Sequence, residues 1–362
     1  MAALLPRPGI LEIDPYVPGK SWLAGGGRII RLASNESALG PSPRAVAAFE
    51  QAAAELGRYP DGASTELRQA IGARFGLDPA RIVCGSGSDE LMGLLGRAFV
   101  GPGDEVLYSQ YGFLMYPIVA RSLGARSVTA PETELRADID AMLGKVTAKT
   151  RLVFLANPNN PTGSYVPRDE VRRLRVGLPG DVLLVLDAAY AEYVTAGDYS
   201  PGVELVDAGD NVVMTRTFSK LFGLASLRIG WVYCPPGVAD VLNRLRNPFN
   251  VTGPAQAAGA AAVEDVEFAD KARAHNTLWL PWLADRLSAL GLRVYPSIAN
   301  FVLVRFPAGP GRDAGAANGF LNDKGIIVRE VAGYGLPDCL RITVGLEEEM
   351  RAVVDALAEF VD

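Results

Sequence analysis

Five short apolar runs, each followed by a turn or a helix, restrict the fold of this chain more than any other feature. They are RIVCG (81–85), EVLYS (105–109), RLVFLA (151–156), VLLVLDAAY (182–190) and NVVMTRTF (211–218). Near-continuous apolar strands that alternate with helices imply an α/β fold, with a mainly parallel sheet covered on both faces. Such sheets bind ligands at the carboxyl ends of their strands. SDELMGLLGRAF (88–99) reads as the helix after the first run. An earlier helix starts at Ser42-Pro43, a cap followed by proline at the first helical position, and ends near Gly57.

After about Pro254 the pattern changes. A long helical stretch (roughly 264–290) precedes RVYPSIANFVLVRF, a further helix, the short runs IIVRE and LRITVG, and a terminal helix EEEMRAVVDALAEFV. That order fits a smaller α+β unit. The chain has 362 residues, past the length at which one core grows comfortably. The expected division is a large domain over 42–253, with 1–41 and 254–362 forming an N-terminal arm and a small domain.

The net charge of −6 argues against a nucleic acid or an anionic membrane as the main partner. No apolar run is long enough to span a bilayer. The proline-broken N-terminus lacks a signal-peptide core. Cys84, Cys234 and Cys339 are far apart and odd in number, which reads as buried thiols in a reducing compartment. A cytoplasmic protein is expected. The single histidine, His275, lies in the long helical stretch and reads as a surface or interface residue. One histidine removes multi-histidine metal sites, so no metal is expected, and it argues against a Ser-His-Asp triad.

Four motifs fall just beyond predicted strands. CGSGSDELM (84–92) places two glycines before a helix that Ser88 can cap, which makes a cradle for a phosphate; many such turns hold nothing. NPNNPTG (157–163) is a rigid turn that presents Asn159 and Asn160, or merely reverses the chain. Asp187 ends a strongly apolar strand, with Tyr190 three residues on. A carboxylate there is costly unless something positive meets it, although it also suits a helix cap. TFSKLFGLASLRIG (217–230) sets Lys220 among hydroxyls, with Arg228 following. A lysine partly desolvated near another cation has a lowered pKa and serves as a nucleophile and base; most single loop lysines are simply solvated.

Taken together, the four supply what pyridoxal phosphate requires. Lys220 suits the Schiff base, and Asp187 the pyridine nitrogen. Asn160 and Tyr190 suit the ring oxygen. Ser88, Thr217, Ser219 and Arg228 suit the phosphate.

With these residues in place, the sequence resembles the fold-type I, class I/II aminotransferases over nearly its whole length. Within them it is most similar to the histidinol-phosphate subfamily. The likeness is carried by LASNES (32–37), RYPDG (58–62), GSGSDEL (85–91), SQYGF (109–113), NPNNPTG, DAAY (187–190), TFSKLFGLASLRIG, GIIVRE (325–330) and LRITVG (340–345), and by the arm PGILEIDPYVPGK (8–20). The resemblance implies a seven-stranded-type sheet in the large domain. It implies pyridoxal 5'-phosphate linked to Lys220, which then moves a proton during transamination. It adds Asp89 to the phosphate cradle, Tyr111 as the ring's stacking partner and Tyr59 as a phosphate ligand from a neighbouring subunit, hence a homodimer. Arg341 matches the arginine that clamps the substrate's acid group. Arg329, Tyr16 and Asn35 fall where the rest of the substrate is contacted.

Many relatives carry a glutamate where Ala188 stands, which leaves Asp187 and Tyr190 in place. The expected reaction exchanges an amino group between L-histidinol phosphate and 2-oxoglutarate in histidine biosynthesis. An aromatic amino-acid aminotransferase and a threonine-phosphate decarboxylase share the scaffold. A cofactor-binding regulator would need an added DNA-binding domain.

Overall fold

All five apolar runs form strands, and two more strands complete their sheet. The computed structural model describes residues 5–7, 9–23, 28–309 and 311–362. The central strands are β1 (Ile82–Gly85), β2 (Glu105–Ser109), β3 (Arg126–Ala130), β4 (Thr150–Ala156), β5 (Leu183–Asp187), β6 (Val212–Thr217) and β7 (Gly230–Tyr233). Their order is β1-β7-β6-β5-β4-β2-β3. The pairs from β6 to β3 are all parallel, and β7 alone runs antiparallel to its neighbours. Alternate residues enter two different apolar clusters. Leu184, Leu186 and Met214 face one, and Leu183, Val185 and Val213 face the other. That two-sided burial is why the runs read as continuous rather than alternating.

The helix α1 (Pro43–Ala52) starts as the sequence indicates, with the Ser42 hydroxyl accepting from the Ala45 N–H at 3.1 Å. Helix α2 (Thr65–Phe75) follows, and then α3 (Ser88–Phe99) directly after β1. The expected Ser88 cap is corrected here. Gly87 occupies the cap position at φ 86°, and Ser88 is the first helical residue. The φ 86° and ψ 162° of Gly87 lie in a backbone region essentially confined to glycine.

Helix α4 (Gly253–Glu264) packs in one apolar cluster of the central sheet through Ala255, Ala258, Ala262 and Val263, and α5 (Val266–Ala289) starts there with Ala269 and Ala272 before it reaches the second sheet. Asp265 caps α5, its carboxylate accepting from the Phe268 N–H, and Pro281 lies inside the helix. A second, antiparallel sheet comprises β8 (Arg293–Tyr295), β9 (Phe301–Arg305), β10 (Arg329–Glu330) and β11 (Cys339–Thr343), in the order β8-β9-β11-β10. It shares an apolar cluster with α5 and the terminal helix α6 (Glu347–Val361). The segment Ile30–Arg31 pairs in parallel with Ile326–Ile327, which fastens the N-terminal stretch to this part of the molecule. Among the described residues no helix is long and apolar enough to cross a membrane.

Candidate active site

Strands β5 and β6 end side by side, and the chemistry starts at those ends. Asp187 is the last residue of β5 and stands opposite Thr215 in β6. Lys220 follows β6 within a tight turn. A cavity of about 260 Å³ opens here between the two sheets. Lys220, Asp187, Tyr190 and Asn160 line it, and so do Ser88, Asp89, Thr217, Ser219 and Arg228. Tyr16, Asn35, Arg329 and Arg341 complete its wall. The fold thus gathers nearly every residue singled out from sequence.

The Lys220 amine donates to the Ser34 carbonyl at 3.1 Å and lies 5.8 Å from the centre of the Tyr190 ring. Burial, with the Arg341 charge nearby, brings this amine from 10.5 down to about 8. Asp187 is fully enclosed. The sequence reading calls for a cation beside it, yet the chain supplies neutral donors instead. The Tyr116 hydroxyl donates at 2.8 Å, and the Thr215 hydroxyl lies 3.5 Å away. Burial outweighs these bonds and raises the carboxyl to about 6. A protonated pyridine nitrogen would supply the positive partner that this carboxylate does not meet among the described residues.

Asn160 sits in the turn after β4. Its side-chain oxygen accepts from Arg341, which leaves its amide N–H₂ as the donor end, 3.4 Å from the Tyr334 hydroxyl. The Tyr190 hydroxyl accepts from Asn35 at 2.8 Å, and burial pushes that phenol well above its ordinary range. Asn35 adopts the left-handed conformation at φ 55° and is held by Thr343 of β11 through both its backbone N–H and its side chain. The N-terminal segment is thus pinned between the two sheets.

At the other end of the cavity, the start of α3 lines the wall through Ser88 and Asp89. Arg228, in the left-handed region at φ 51°, donates to Asp89 at 3.0 Å and to the Ser219 hydroxyl at 3.3 Å. The Thr217 hydroxyl accepts from the Ser219 N–H at 3.1 Å. A Cβ on Gly230 would lie 2.3 Å from the Ser88 nitrogen, so β7 and the start of α3 touch backbone to backbone. A helix N-terminus, three hydroxyls and a guanidinium make an anion site suited to a phosphate. Together with the Lys220 amine and the cation-seeking Asp187, this set fits pyridoxal phosphate.

Arg341, at the centre of the small sheet, is buried. It donates to Asn160 and to the Ala33 carbonyl, and its Nε has no partner among the described residues. Burial lowers its pKa. Arg329 lies nearer the mouth and donates to the Val17 carbonyl at 2.7 Å. Tyr16, beside it, meets Phe113 edge to face at 6.4 Å.

Two residues read as part of the site do not line this cavity. Tyr111 turns its side chain toward the apolar cluster of Leu135, Tyr295 and Tyr334, while the Tyr111 N–H and carbonyl are held by Glu132 and Asn159. Tyr59 is 83% exposed and stacks on Phe249 with ring centres 4.6 Å apart. His275 is half-buried outside the cavity, its Nε2 at 2.9 Å from the Gly345 carbonyl oxygen. Sequence reasoning missed Tyr116, Thr215 and Tyr334. Tyr116 lies 71 positions from Asp187, and no local pattern links the two.

The family of class I and II aminotransferases matches residues 27–357. A histidinol-phosphate aminotransferase of Paramagnetospirillum magneticum is 61% identical over 361 residues, covering 100% of this chain and 99% of its own. The histidinol-phosphate aminotransferase of Rhodospirillum centenum is 60% identical with the same coverage. Among solved structures, the histidinol-phosphate aminotransferase of Sinorhizobium meliloti, in complex with pyridoxal-5'-phosphate, is 34% identical. It superposes with a TM-score of 0.85, over 92% of this chain and 91% of its own.

Proposed function

This chain belongs to the class I and II aminotransferases, and we propose that it exchanges an amino group between L-histidinol phosphate and 2-oxoglutarate. The products are imidazole acetol phosphate and L-glutamate, as a step of histidine biosynthesis. One observation carries this reading: a single cavity joins the Lys220 amine, the Asp187 carboxyl and two arginines, Arg341 and Arg329. The full-length likeness to histidinol-phosphate aminotransferases supports it.

Bound pyridoxal phosphate supplies an aldehyde that takes up the amino group and a ring that stores the electron pair released at the substrate carbon. The chain's own residues hold that group and move the protons. Lys220, with its amine near 8, keeps a neutral fraction at neutral pH, so its Nζ can attack a carbonyl and later accept and return a proton. Asp187 holds the positive charge on the ring nitrogen. Asn160 and Tyr190 hydrogen-bond the ring oxygen. Ser88, Asp89, Thr217, Ser219 and Arg228 form the phosphate cradle. Tyr111 would have to leave its packing against Leu135, Tyr295 and Tyr334 to stack on the ring. Arg341 offers its planar fork to the acid group of either substrate, so one site serves both halves of the exchange. Arg329, Tyr16 and Asn35 contact the rest of the substrate.

We assign residues 42–253 to the cofactor domain, and 1–41 with 254–362 to the arm and small domain. We also assign a cytoplasmic homodimer. Exposed Phe49, Leu56, Tyr59 and Phe249 are apolar surface that a second copy would cover, and Tyr59 would then reach that copy's phosphate. Sedimentation of the wild-type protein as a monomer at micromolar concentration would contradict this.

The aromatic pair Tyr16–Phe113 at the mouth favours a second reading, because it suits any flat ring. The deciding experiment compares kcat/KM for L-histidinol phosphate and L-phenylalanine, each with 2-oxoglutarate. A preference above about tenfold, or 1.4 kcal/mol in transition-state binding, is expected for histidinol phosphate. Equal or better use of phenylalanine would make the enzyme a broad aromatic transaminase.

A further inference from the structure

Behind the cavity lies a buried ion pair that the reaction does not touch. Arg216 precedes Thr217 in β6, and the alternation of a strand directs it to the face opposite Thr215 and Thr217. Its guanidinium carbon stands 4.7 Å from the ring centre of Phe75 in α2 and 5.5 Å from that of Trp231 in β7. Its Nε meets Glu192 Oε1 at 2.9 Å. Both residues are buried, at 5% and 7% exposure. Glu192 belongs to the single turn Ala191–Tyr193 that immediately follows Tyr190. Its second carboxylate oxygen has no partner among the described residues, and its backbone carbonyl accepts from Arg273 of α5 at 2.7 Å.

Stability alone gives a poor reason for this arrangement. Two charges withdrawn from water cost more than a well-packed apolar pair of the same volume, which often serves as well or better. The arrangement supplies direction instead. One partner sits beside Thr215 and Thr217, a turn before Lys220. The other sits just past Asp187 and Tyr190. The ladder registers the strand ends as far as Asp187 and Thr215, and the Ala188 N–H donates to the Thr215 carbonyl at 3.0 Å; the ion pair adds a side-chain link of fixed length and angle to the turn beyond them. The rings of Phe75 and Trp231, themselves 5.6 Å apart between centres, pack together against the guanidinium and restrict it, and Arg273 fixes the turn from α5.

We infer that Arg216 and Glu192 are positioning residues, whose buried pair fixes the Asp187–Tyr190 turn against the strand end that carries Thr217 and Lys220. The inference rests on the assignment of those four residues to the cofactor, and not on the choice of amino donor.

The test is the double variant Arg216→Met with Glu192→Met, which removes both charges together. Its cofactor-free form is expected to melt within about 4 °C of the wild type. Its affinity for pyridoxal phosphate, read by fluorescence titration of the cofactor-free protein, is expected to fall by about ten- to a hundredfold. The catalytic constant should fall with it. The KM for 2-oxoglutarate should stay within about twofold, because Arg341 is carried by the other sheet. A folded variant with wild-type cofactor affinity would overturn the inference. So would a parallel loss of melting temperature, cofactor affinity and KM, which marks a general loss of structure. If the double variant does not fold, Glu192→Gln decides: weaker cofactor binding with unchanged KM supports the inference, and wild-type affinity overturns it. None of these outcomes bears on Lys220 itself, whose replacement tests the cofactor assignment separately.

Discussion

The two walls of the cavity are built differently. On one wall, Asp187, Tyr190, Thr217 and Lys220 sit at or just past the ends of adjacent parallel strands, and a handful of residues in sequence spans each group. On the other, Asn35, Arg341, Arg329 and Tyr16 come from an N-terminal segment and from a small antiparallel sheet hundreds of positions away. The Asn35–Thr343 bond joins residues 308 positions apart. The first wall is fixed by the core beneath it. The second depends on the arm and small sheet meeting the first. A cofactor that stays through the cycle suits the first wall, and substrates that come and go suit the second.

Substitutions should separate the walls by size of effect. Lys220→Ala removes the only side-chain amine that lines the cavity among the described residues, so turnover should fall by at least about 10⁴-fold, and the near-ultraviolet and visible absorbance of the bound cofactor should change. Retained turnover would refute the role. Asp187→Asn keeps the shape but cannot balance a positive ring nitrogen. A loss of about 10²–10³-fold in kcat is expected, with little change in KM. Arg341→Lys keeps the charge but loses the fork, so KM for both substrates should rise by roughly tenfold or more, while the cofactor spectrum stays as in the wild type. Tyr16→Phe, at a half-open position, should shift KM for the amino donor by only a few-fold. If that variant instead abolished cofactor binding, the division between the walls would fail.

Stability against pH sharpens the same comparison, because both titrating groups lie on the first wall. Asp187 is raised from 3.8 to about 6 by burial. The folded cofactor-free protein therefore binds more protons than the unfolded chain between those values, and its stability falls as pH rises through that window. Lys220 is lowered from 10.5 to about 8. Between those values the unfolded chain binds more protons, and stability rises with pH. Melting temperatures of the cofactor-free protein should follow both trends. Asp187→Asn should flatten the first and leave the second.

The first wall was also the more legible in sequence. Apolar runs of two-sided strands located the sheet, and polar residues just past them located the site, since a charge after such a run must have a reason to be there. Asp187 and Lys220 were readable in this way. Their surroundings were not. Tyr116 reaches Asp187 from a separate helix, Met115–Ser122, and Glu192 meets Arg216 across two turns. Pairing over such distances leaves no local spacing to read. Ser88 looked like a helix cap because serine commonly is one. The cap position has φ 86° and ψ 162°, a backbone region essentially confined to glycine, and Gly87 takes it instead. On the second wall, composition and periodicity say little about Arg329 or Tyr16, and only the resemblance to a family singled them out.

The most direct single measurement is borohydride reduction of the purified wild-type enzyme loaded with pyridoxal phosphate, followed by peptide mass mapping. A stable cofactor adduct on Lys220, and on no other lysine, is the expected result. An adduct on a different lysine, or none under conditions in which the enzyme is active, would contradict the assignment of this site.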